Sequence, residues 1–183
     1  MERGFKVSLF FEGEEQSLIN ILDAREERVK YQEYLLSKYK NTIISYKLNI
    51  PGSIKYNLHI KQIFDEGLLL LNKRLDELSI NKLSEKLIYK NSGPEYFAVL
   101  DEAEYKIKKL TTDIEEKHAL GRLFDFDVIN KDGKQISRKE LGIETRKCFL
   151  CGGNAFECGR SRRHEFRDLL SAIEKTAIDY FNR

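Results

Sequence analysis

The alternation of helical and strand patterns along the chain constrains its fold more than any other sequence feature. Apolar residues recur at spacings of three and four over residues 57–78 and again from Ala103 to about Lys117, which predicts two amphipathic helices. Gly67 lies inside the first stripe at a cost of about 1 kcal/mol relative to Ala, and the helix is still expected. Segments of strand character flank both stripes, at residues 42–50, 86–90, 96–100 and 123–130.

This β-α-β-β-α-β order is the split βαβ pattern of ferredoxin-like folds, in which an antiparallel sheet carries two helices on one face. A helix over 17–39 with Ser17 as its cap precedes this core, and a helix over 165–180 closes the chain. Asp101 is expected to cap the second core helix, and Asp132-Gly133 to form a hairpin turn into residues 135–137. We therefore expect an α+β fold and a single domain over 1–183, comprising an N-terminal helical segment (1–40), the ferredoxin-like core (42–140) and a cysteine- and arginine-rich loop with its closing helix (146–183).

Composition excludes several classes of protein. The 183 residues carry a formal net charge of +2, which argues against nonspecific nucleic-acid binding. The longest apolar run is the four leucines 68–71, whereas a membrane-spanning helix needs roughly 18 apolar residues. Arg3 and the acidic residues after Phe11 interrupt any signal-peptide core, so we expect a cytoplasmic protein without a membrane partner.

Two aspartates on the last core strand are the first candidate site. Side chains two apart on a strand share a face, so Asp125 and Asp127 project together and repel each other unless a cation lies between them. Mg²⁺ held by one or two carboxylates and completed by substrate phosphates fits this pattern; the alternative is a solvated strand face. Arg122 is suited to gripping phosphate, and His118 is a candidate acid or base.

The cysteines form the second candidate site. Cys148, Cys151, Cys158 and His164 lie within 17 positions, and Cys₃His is a known structural zinc set. The spacing after Cys151 matches no standard zinc finger, so buried free thiols are the alternative. The basic residues beside them, Arg160, Arg162 and Arg163, precede the last helix and predict a phosphate site, or else a solubilising loop.

Together these segments resemble the apo-citrate lyase phosphoribosyl-dephospho-CoA transferase family, also called citrate lyase holo-acyl-carrier-protein synthase. The resemblance covers most of the chain, and Ala119 departs from it where the family is expected to have Pro. The matching segments are Arg25-Glu26-x-Arg28, Pro51-Gly52-x-Ile54-Lys55, Gly93-Pro94-Glu95, Glu116-x-His118-x-Leu120-Gly121-Arg122-Leu123-x-Asp125-x-Asp127-Val128, Ser137-Arg138, Arg146-x-Cys148-x2-Cys151, and Cys158-x-Arg160 through His164.

The resemblance implies an enzyme of the nucleotidyltransferase type. Such an enzyme takes 2′-(5″-triphosphoribosyl)-3′-dephospho-CoA, attaches its phosphoribosyl-dephospho-CoA part to a serine of the citrate lyase acyl carrier (gamma) subunit, and releases diphosphate. On physical grounds we assign Asp125 and Asp127 to Mg²⁺, Arg122 to the phosphates and His118 to the base. Arg138, Arg146, Arg160, Arg162 and Arg163 are expected to bind phosphate or substrate.

Three other functions are weighed against this transfer. The first is the same transfer to another carrier protein, such as that of malonate decarboxylase. The second is a non-catalytic, zinc-containing binding module for nucleic acid, which would tolerate loss of both aspartates. The third is an assembly factor that binds the carrier subunit without consuming a triphosphate donor.

Overall fold

The computed structural model describes residues 9–182, and Arg3 lies outside the described residues. The helices are α1 (Leu18–Tyr39), α2 (Leu58–Glu77), α3 (Glu104–Lys117), α4 (Ala155–Arg160) and α5 (Phe166–Phe181). The strands are β1 (Thr42–Leu48), β2 (Lys82–Ile88), β3 (Glu95–Leu100) and β4 (Phe124–Ile129). Over the described part of the chain, no helix is long and apolar enough to cross a membrane.

The strands form one antiparallel sheet in the order β2-β3-β1-β4. Apolar residues of α2, α3 and α5 pack on one face of the sheet in a single cluster with β1, β3 and β4. A smaller cluster joins Leu35 of α1 to Ile43, Phe97 and Val99 on the opposite face. The predicted α+β class is confirmed, and helices cover both faces of the sheet.

Three local predictions from the sequence were wrong. Strand β2 begins at Lys82, not at 86, and its register shifts between Lys82 and Ser84. Its polar start is tolerated because β2 is an edge strand whose side chains are largely exposed. Asp101 does not cap α3: the N-cap residue is Ala103, which makes no side-chain capping bond. The turn at 131–134 forms, with Asn130 Oδ1 accepting from the backbone N–H of Lys134, but only one isolated bridge follows it and residues 135–137 form no strand.

Gly67 has a packing role within α2. The buried ring of Tyr46 stacks against Phe64 and Phe126 at centroid distances of 4.6 and 4.3 Å. A Cβ on Gly67 would lie 2.1 Å from the Tyr46 hydroxyl oxygen. The helix therefore accepts a poor helix former because the sheet approaches it too closely for any other residue.

Buried charged side chains form hydrogen bonds with the backbone groups on the outer edge of β4. Glu115 of α3 accepts from the backbone N–H of Phe126 at 3.1 Å, and Lys108 of α3 donates to the Phe126 carbonyl at 3.1 Å. The Glu115 side chain is only 2% exposed and binds the guanidinium groups of both Arg138 and Arg146. One carboxylate thus joins α3, the edge of β4 and the loop that follows β4.

We expect Glu115→Gln to lower the free energy of unfolding by about 3–5 kcal/mol, because it leaves two largely buried guanidinium groups without their shared counter-charge. The matched control is Glu116→Gln. The Glu116 side chain is 48% exposed and, within residues 9–182, binds only Arg138, so this variant should cost less than about 1 kcal/mol. Urea denaturation of both variants measures the difference. Equal losses would show that Glu115 has no special structural role.

Candidate functional site

A close approach between α3 and the turn Gly121–Leu123 positions the start of β4. A Cβ on Gly121 would lie 2.4 Å from the Glu115 carbonyl oxygen, so only glycine fits there. The following residue, Arg122, leaves this turn half-buried, and β4 begins two residues later. The sequence Gly121-Arg122 therefore fixes where the guanidinium emerges relative to the aspartates of the strand.

Asp125 and Asp127 share one face of β4, as predicted, and the cation between them is Lys47 of β1. Lys47 Nζ binds Asp127 Oδ2 at 2.8 Å and also binds Asp125 Oδ2. The register explains the contact, because Lys47 is the cross-strand partner of Asp125 and lies two residues beyond the partner of Asp127. Burial opposes the charge of Lys47, but the two aspartates outweigh burial and raise its pKa.

The remaining oxygens of the aspartate pair also have protein donors. Arg146 lies 3.2 Å from Asp125 Oδ1, and the Gln135 amide donates to Asp127 Oδ1. Burial alone would raise the pKa of Asp125, but Lys47 and Arg146 lower it below its ordinary value. All four carboxylate oxygens thus have partners, and Mg²⁺ could bind between them only by displacing Lys47.

A cavity of about 780 Å³ lies between the turn at Arg122, the cysteine-rich loop and α5. We call it the C-terminal cavity, and residues that line it include Asn49, Arg122, Phe149, Cys158, Arg162 and Phe166. Gly52, at φ +90°, lies so close to the Phe166 ring that a Cβ would come within 2.9 Å of it. The segment after β1 therefore packs directly against α5 at the cavity wall.

Arg122 brings a guanidinium group with an unsatisfied nitrogen to this cavity. Its Nε atom is buried and has no hydrogen-bond partner among the described residues. Burial, and secondarily the neighbouring guanidinium groups of Arg146 and Arg138, lower the pKa of Arg122. A cation in this position is stabilised by an anion, and phosphate matches the guanidinium geometry.

The four predicted metal ligands come together at the wall of the C-terminal cavity. The ligand atoms of Cys148, Cys151, Cys158 and His164 all lie within 4.8 Å of one another. The thiols are free, with Cys151 Sγ and Cys158 Sγ 3.6 Å apart. The His164 Nε2 atom is buried with no partner in residues 9–182, as expected where a further ligand completes its bonding. The cluster could therefore hold a metal ion.

Local backbone geometry supports this cluster. Gly152, at φ +70°, allows the tight turn that follows Cys148, and its N–H donates to the Cys148 carbonyl at 3.1 Å. Burial opposes ionisation of the Cys148 thiol, but the backbone N–H groups of Cys151 and Leu150 and the other two thiols lower its pKa to about 7. Thiolates are the form of cysteine that binds metal.

The structure separates the predicted phosphate-binding arginines. Arg162 lines the C-terminal cavity, whereas Arg160 and Arg163 are exposed and do not line it. Arg160 ends α4, a short helix that the sequence reading missed and that Asn154 caps. Arg138 and Arg146 bind Glu115, and Arg138 also lines a smaller adjoining cavity that shares Arg122.

His118 lies apart from these groups. Its Nδ1 accepts from the backbone N–H of Leu120 at 3.2 Å, and its Nε2 lies 3.2 Å from the Tyr180 hydroxyl, which donates to Glu66. Burial lowers the pKa of His118, with Glu66 opposing that shift. Both ring nitrogens have partners, and His118 does not line the C-terminal cavity.

Sequence reasoning missed Lys47 and Glu115 as parts of the site. Lys47 lies in a strand pattern where a lone lysine is ordinary, and only the β1–β4 register shows that it faces both aspartates. Glu115 lies at a helical position next to the predicted apolar stripe. Its 31-residue separation from Arg146 gives no local signal.

An arginine whose Nε has no partner among the described residues, apolar walls and a metal-ligand cluster meet at the C-terminal cavity, a combination typical of proteins that bind phosphorylated ligands. The model of the apo-citrate lyase phosphoribosyl-dephospho-CoA transferase family matches residues 16–180. The chain therefore belongs to this family, which confirms the resemblance seen in its sequence.

Individual relatives agree over nearly the whole chain. A Vibrio cholerae protein named probable apo-citrate lyase phosphoribosyl-dephospho-CoA transferase is 34% identical over 165 residues, covering 90% of this chain and 93% of that protein. A Streptococcus pyogenes protein of the same name is 33% identical over 181 residues, covering 95% and 92%. A Citrobacter koseri protein, named without the word probable, is 30% identical over 163 residues, covering 89% of each.

Lys47→Met tests the electrostatics of the aspartate pair. We expect it to lower the free energy of unfolding at pH 7 by roughly 3 kcal/mol, because two close carboxylates lose the cation between them. The lowered pKa of Asp125 contributes stability above about pH 4, which is lost as the pH falls through that lowered value. The difference between wild type and variant should therefore be largest at neutral pH and shrink in acid.

Urea denaturation at pH 7 and at pH 3 measures this difference. The control is Lys30→Met, which removes an exposed lysine of α1 that lies 3.9 Å from Glu26. It should change stability by less than about 1 kcal/mol at either pH. A Lys47→Met effect that did not depend on pH would point to lost packing and not to charge.

Proposed function

We propose that this protein transfers the phosphoribosyl-dephospho-CoA group from 2′-(5″-triphosphoribosyl)-3′-dephospho-CoA to a serine of the citrate lyase acyl carrier subunit, with release of diphosphate. Family membership over residues 16–180 supports the reaction. The observation that carries the site is Arg122, a half-buried guanidinium with an unpartnered Nε at a cavity of about 780 Å³. Pockets for nucleotide-sized ligands have roughly this volume.

The C-terminal cavity suits such a donor in its chemistry as well as its size. The aromatic and aliphatic side chains of Phe149, Phe166 and Leu169 offer apolar walls to the adenine and pantetheine parts. Arg122 and Arg162 offer guanidinium groups to the phosphates. Arg138 and Arg146 act mainly by holding Glu115 and Asp125, so that they position the site more than they bind the donor.

In the proposed reaction the carrier serine oxygen forms a bond to the phosphorus nearest the ribose. The bond from that phosphorus to the leaving diphosphate breaks, and diphosphate leaves with its electron pair. The serine proton passes to the Asp127 carboxylate and not to His118. Each Asp127 oxygen keeps a second lone pair beside its bond to Lys47 or Gln135, whereas the one acceptor lone pair of neutral His118 is taken by the Leu120 N–H. Positioning and charge stabilisation by Arg122 supply most of the catalysis, as is usual for transfer at phosphorus.

Mg²⁺ on Asp125 and Asp127 stays a prediction. Lys47 takes the place between the carboxylates that the metal was expected to fill, so the pair in this arrangement does not fit Mg²⁺. No step of the proposed reaction depends on the metal. Lys47 supplies the positive charge on which the aspartate pair depends.

The fold and organisation support a single catalytic unit. We propose a ferredoxin-like core over 42–140 that carries the aspartates and Arg122, with the segment 146–183 closing the donor cavity over it. Cytoplasmic citrate lyase maturation is the setting that this function implies. The transfer assay below distinguishes two alternatives. Transfer to the carrier protein of malonate decarboxylase would modify a different acceptor, and an assembly factor would leave the donor unconsumed.

We further propose that Cys148, Cys151, Cys158 and His164 hold structural Zn²⁺. Four protein ligands leave no open position, which is typical of a structural site and not of a catalytic one. Zinc there would fix the loop that carries Phe149 and Arg162 to the start of α5. It would thereby shape the wall of the C-terminal cavity.

Transfer is tested by intact-mass analysis of apo carrier subunit incubated with this protein and the donor, with and without EDTA. We expect the carrier to gain one phosphoribosyl-dephospho-CoA group, and Arg122→Met to lower kcat/KM about 100-fold because it removes a charge from the reacting phosphates. Lys139→Met, an exposed residue outside the cavity, is the matched control. Absence of any mass gain with folded protein would overturn the proposal, and activity lost in EDTA and restored by Mg²⁺ but not by Zn²⁺ would support Mg²⁺.

Zinc is tested by elemental analysis of protein purified without chelator. One zinc per chain is expected, and Cys158→Ser should lose it and lower the midpoint of thermal unfolding by several degrees. The control is Ser161→Ala. Ser161 lies close to Cys158 in the sequence but is not one of the proposed ligands, so this variant should retain the metal. Wild-type protein that is folded and contains no stoichiometric zinc would show that the thiols only pack.

A further inference from the structure

A further cavity, of about 190 Å³, lies on the opposite side of the segment that follows β1. Its walls come from α1, from residues 47–55 and from the turn at 92–95, and we call it the α1 cavity. Its charged lining residues are Arg25, Arg28, Lys47, Lys55 and Glu95. Four cations therefore face one carboxylate, which is a strongly positive lining for so small a space.

Two of these cations are already neutralised. Arg28 binds Glu95 at 2.7 Å, and Glu95 is nearly fully buried, so this pair is part of the framework. Lys47 binds Asp125 and Asp127, as described above. Neither Arg28 nor Lys47 therefore has an unpaired positive charge for a ligand.

Among the described residues, the exposed Arg25 and the half-buried Lys55 have no carboxylate partner. Neither forms an ion pair within residues 9–182, and the one hydrogen bond of the Lys55 ammonium is to the Ile50 carbonyl. Burial lowers the pKa of Lys55, as expected for a cation held away from water without a counter-charge. Such a charge is costly in the free protein, and a bound anion would offset the cost.

The α1 cavity and the C-terminal cavity share a wall. Asn49 and Pro51 line the C-terminal cavity, whereas Leu48 and Ile50 line the α1 cavity. The backbone N–H of Asn49 donates to the Leu123 carbonyl at 2.8 Å, which joins this wall to the turn that carries Arg122. Lys47, at the start of the wall, also connects the α1 cavity to the aspartate pair.

We propose that the α1 cavity is a second anion site, in which Arg25 and Lys55 bind a polyphosphate group. The two side chains come from different elements, α1 and the segment after β1, so a bound anion would join them. Gly93, at φ +114°, lines the same cavity, and a Cβ at this position would lie 3.8 Å from the Lys55 Cβ atom, so the turn at 92–95 lies beside the lysine.

The role of this site in transfer rests on the proposed function. The donor carries two separate polyphosphate groups, the triphosphate on its added ribose and the diphosphate of its dephospho-CoA part. Two anion sites on either side of one segment match that chemistry. The α1 cavity, next to Lys47 and the aspartate pair, is then the site for the two outer phosphates, which leave as diphosphate, while Arg122 binds the phosphate nearest the ribose.

The test is titration of inorganic diphosphate into the full chain, followed by isothermal calorimetry, with wild type, Lys55→Met, Arg25→Met and Lys30→Met compared. Lys30 also lies on α1 but does not line the cavity, so it is the matched control. We expect Lys55→Met and Arg25→Met each to weaken diphosphate binding about tenfold, because each removes a charge-assisted contact. Near-UV circular dichroism shows whether each variant has kept its fold.

Repeating the series in an Arg122→Met background separates the two cavities. If the α1 cavity binds diphosphate, the Lys55 effect persists in that background. If diphosphate binds Lys55→Met as tightly as Lys30→Met, or if Arg122→Met alone abolishes binding, the proposal is overturned. In NMR spectra recorded during the titration, changes in the backbone amide chemical shifts of residues 92–95 would support the proposal. Changes confined to residues 148–166 would contradict it.

The two proposals can fail separately. Lys55-dependent binding of diphosphate by a protein that modifies no carrier would leave the anion site in place and remove the transferase assignment. Normal carrier modification by a Lys55→Met protein with unchanged diphosphate affinity would leave the transferase assignment in place and remove the anion site.

Discussion

The buried carboxylate of Glu115 is the interaction on which the rest of the site depends. It binds the edge of β4 through the Phe126 amide and holds Arg138 and Arg146 at the same time. Arg146 in turn reaches Asp125, and its charge, with that of Arg138, bears on Arg122. The shared, largely water-excluded anion is what allows two of these three guanidinium groups to lie so close together at the start of one strand, with Glu116 and Asp125 as their further partners.

Much of the fold follows from local patterns, because the helices and central strands carry clear apolar periodicity and recognisable caps. Ser17 and Asn57 cap α1 and α2 through side-chain oxygens, and the sequence indicated both helix starts. Strand β2 was misplaced because an edge strand needs no apolar alternation. Helix α4 was missed because six residues, two of them a Cys and a Gly, give no helical period.

The features of the candidate site likewise divide into those that the sequence could predict and those that it could not. The Cys₃His cluster and the shared face of Asp125 and Asp127 could be predicted, since both depend on spacing within one segment. The partners of those aspartates could not, because Lys47 and Arg146 reach Asp125 only through strand register and a loop contact. The cation between the carboxylates was expected to be a metal, and sequence alone gave no reason to choose a lysine 78 residues away.

The covered edge of β4 affects whether copies of this protein can pair through the edges of their sheets. Arg146, Glu115, Lys108 and Ile136 already bond the outward backbone groups of Phe124, Phe126 and Val128. A strand from a second molecule would therefore have to displace these bonds in order to pair with this edge. The other edge, β2, presents Lys82, Glu85 and Lys86, whose charges and hydration disfavour the close stacking from which β-aggregates grow.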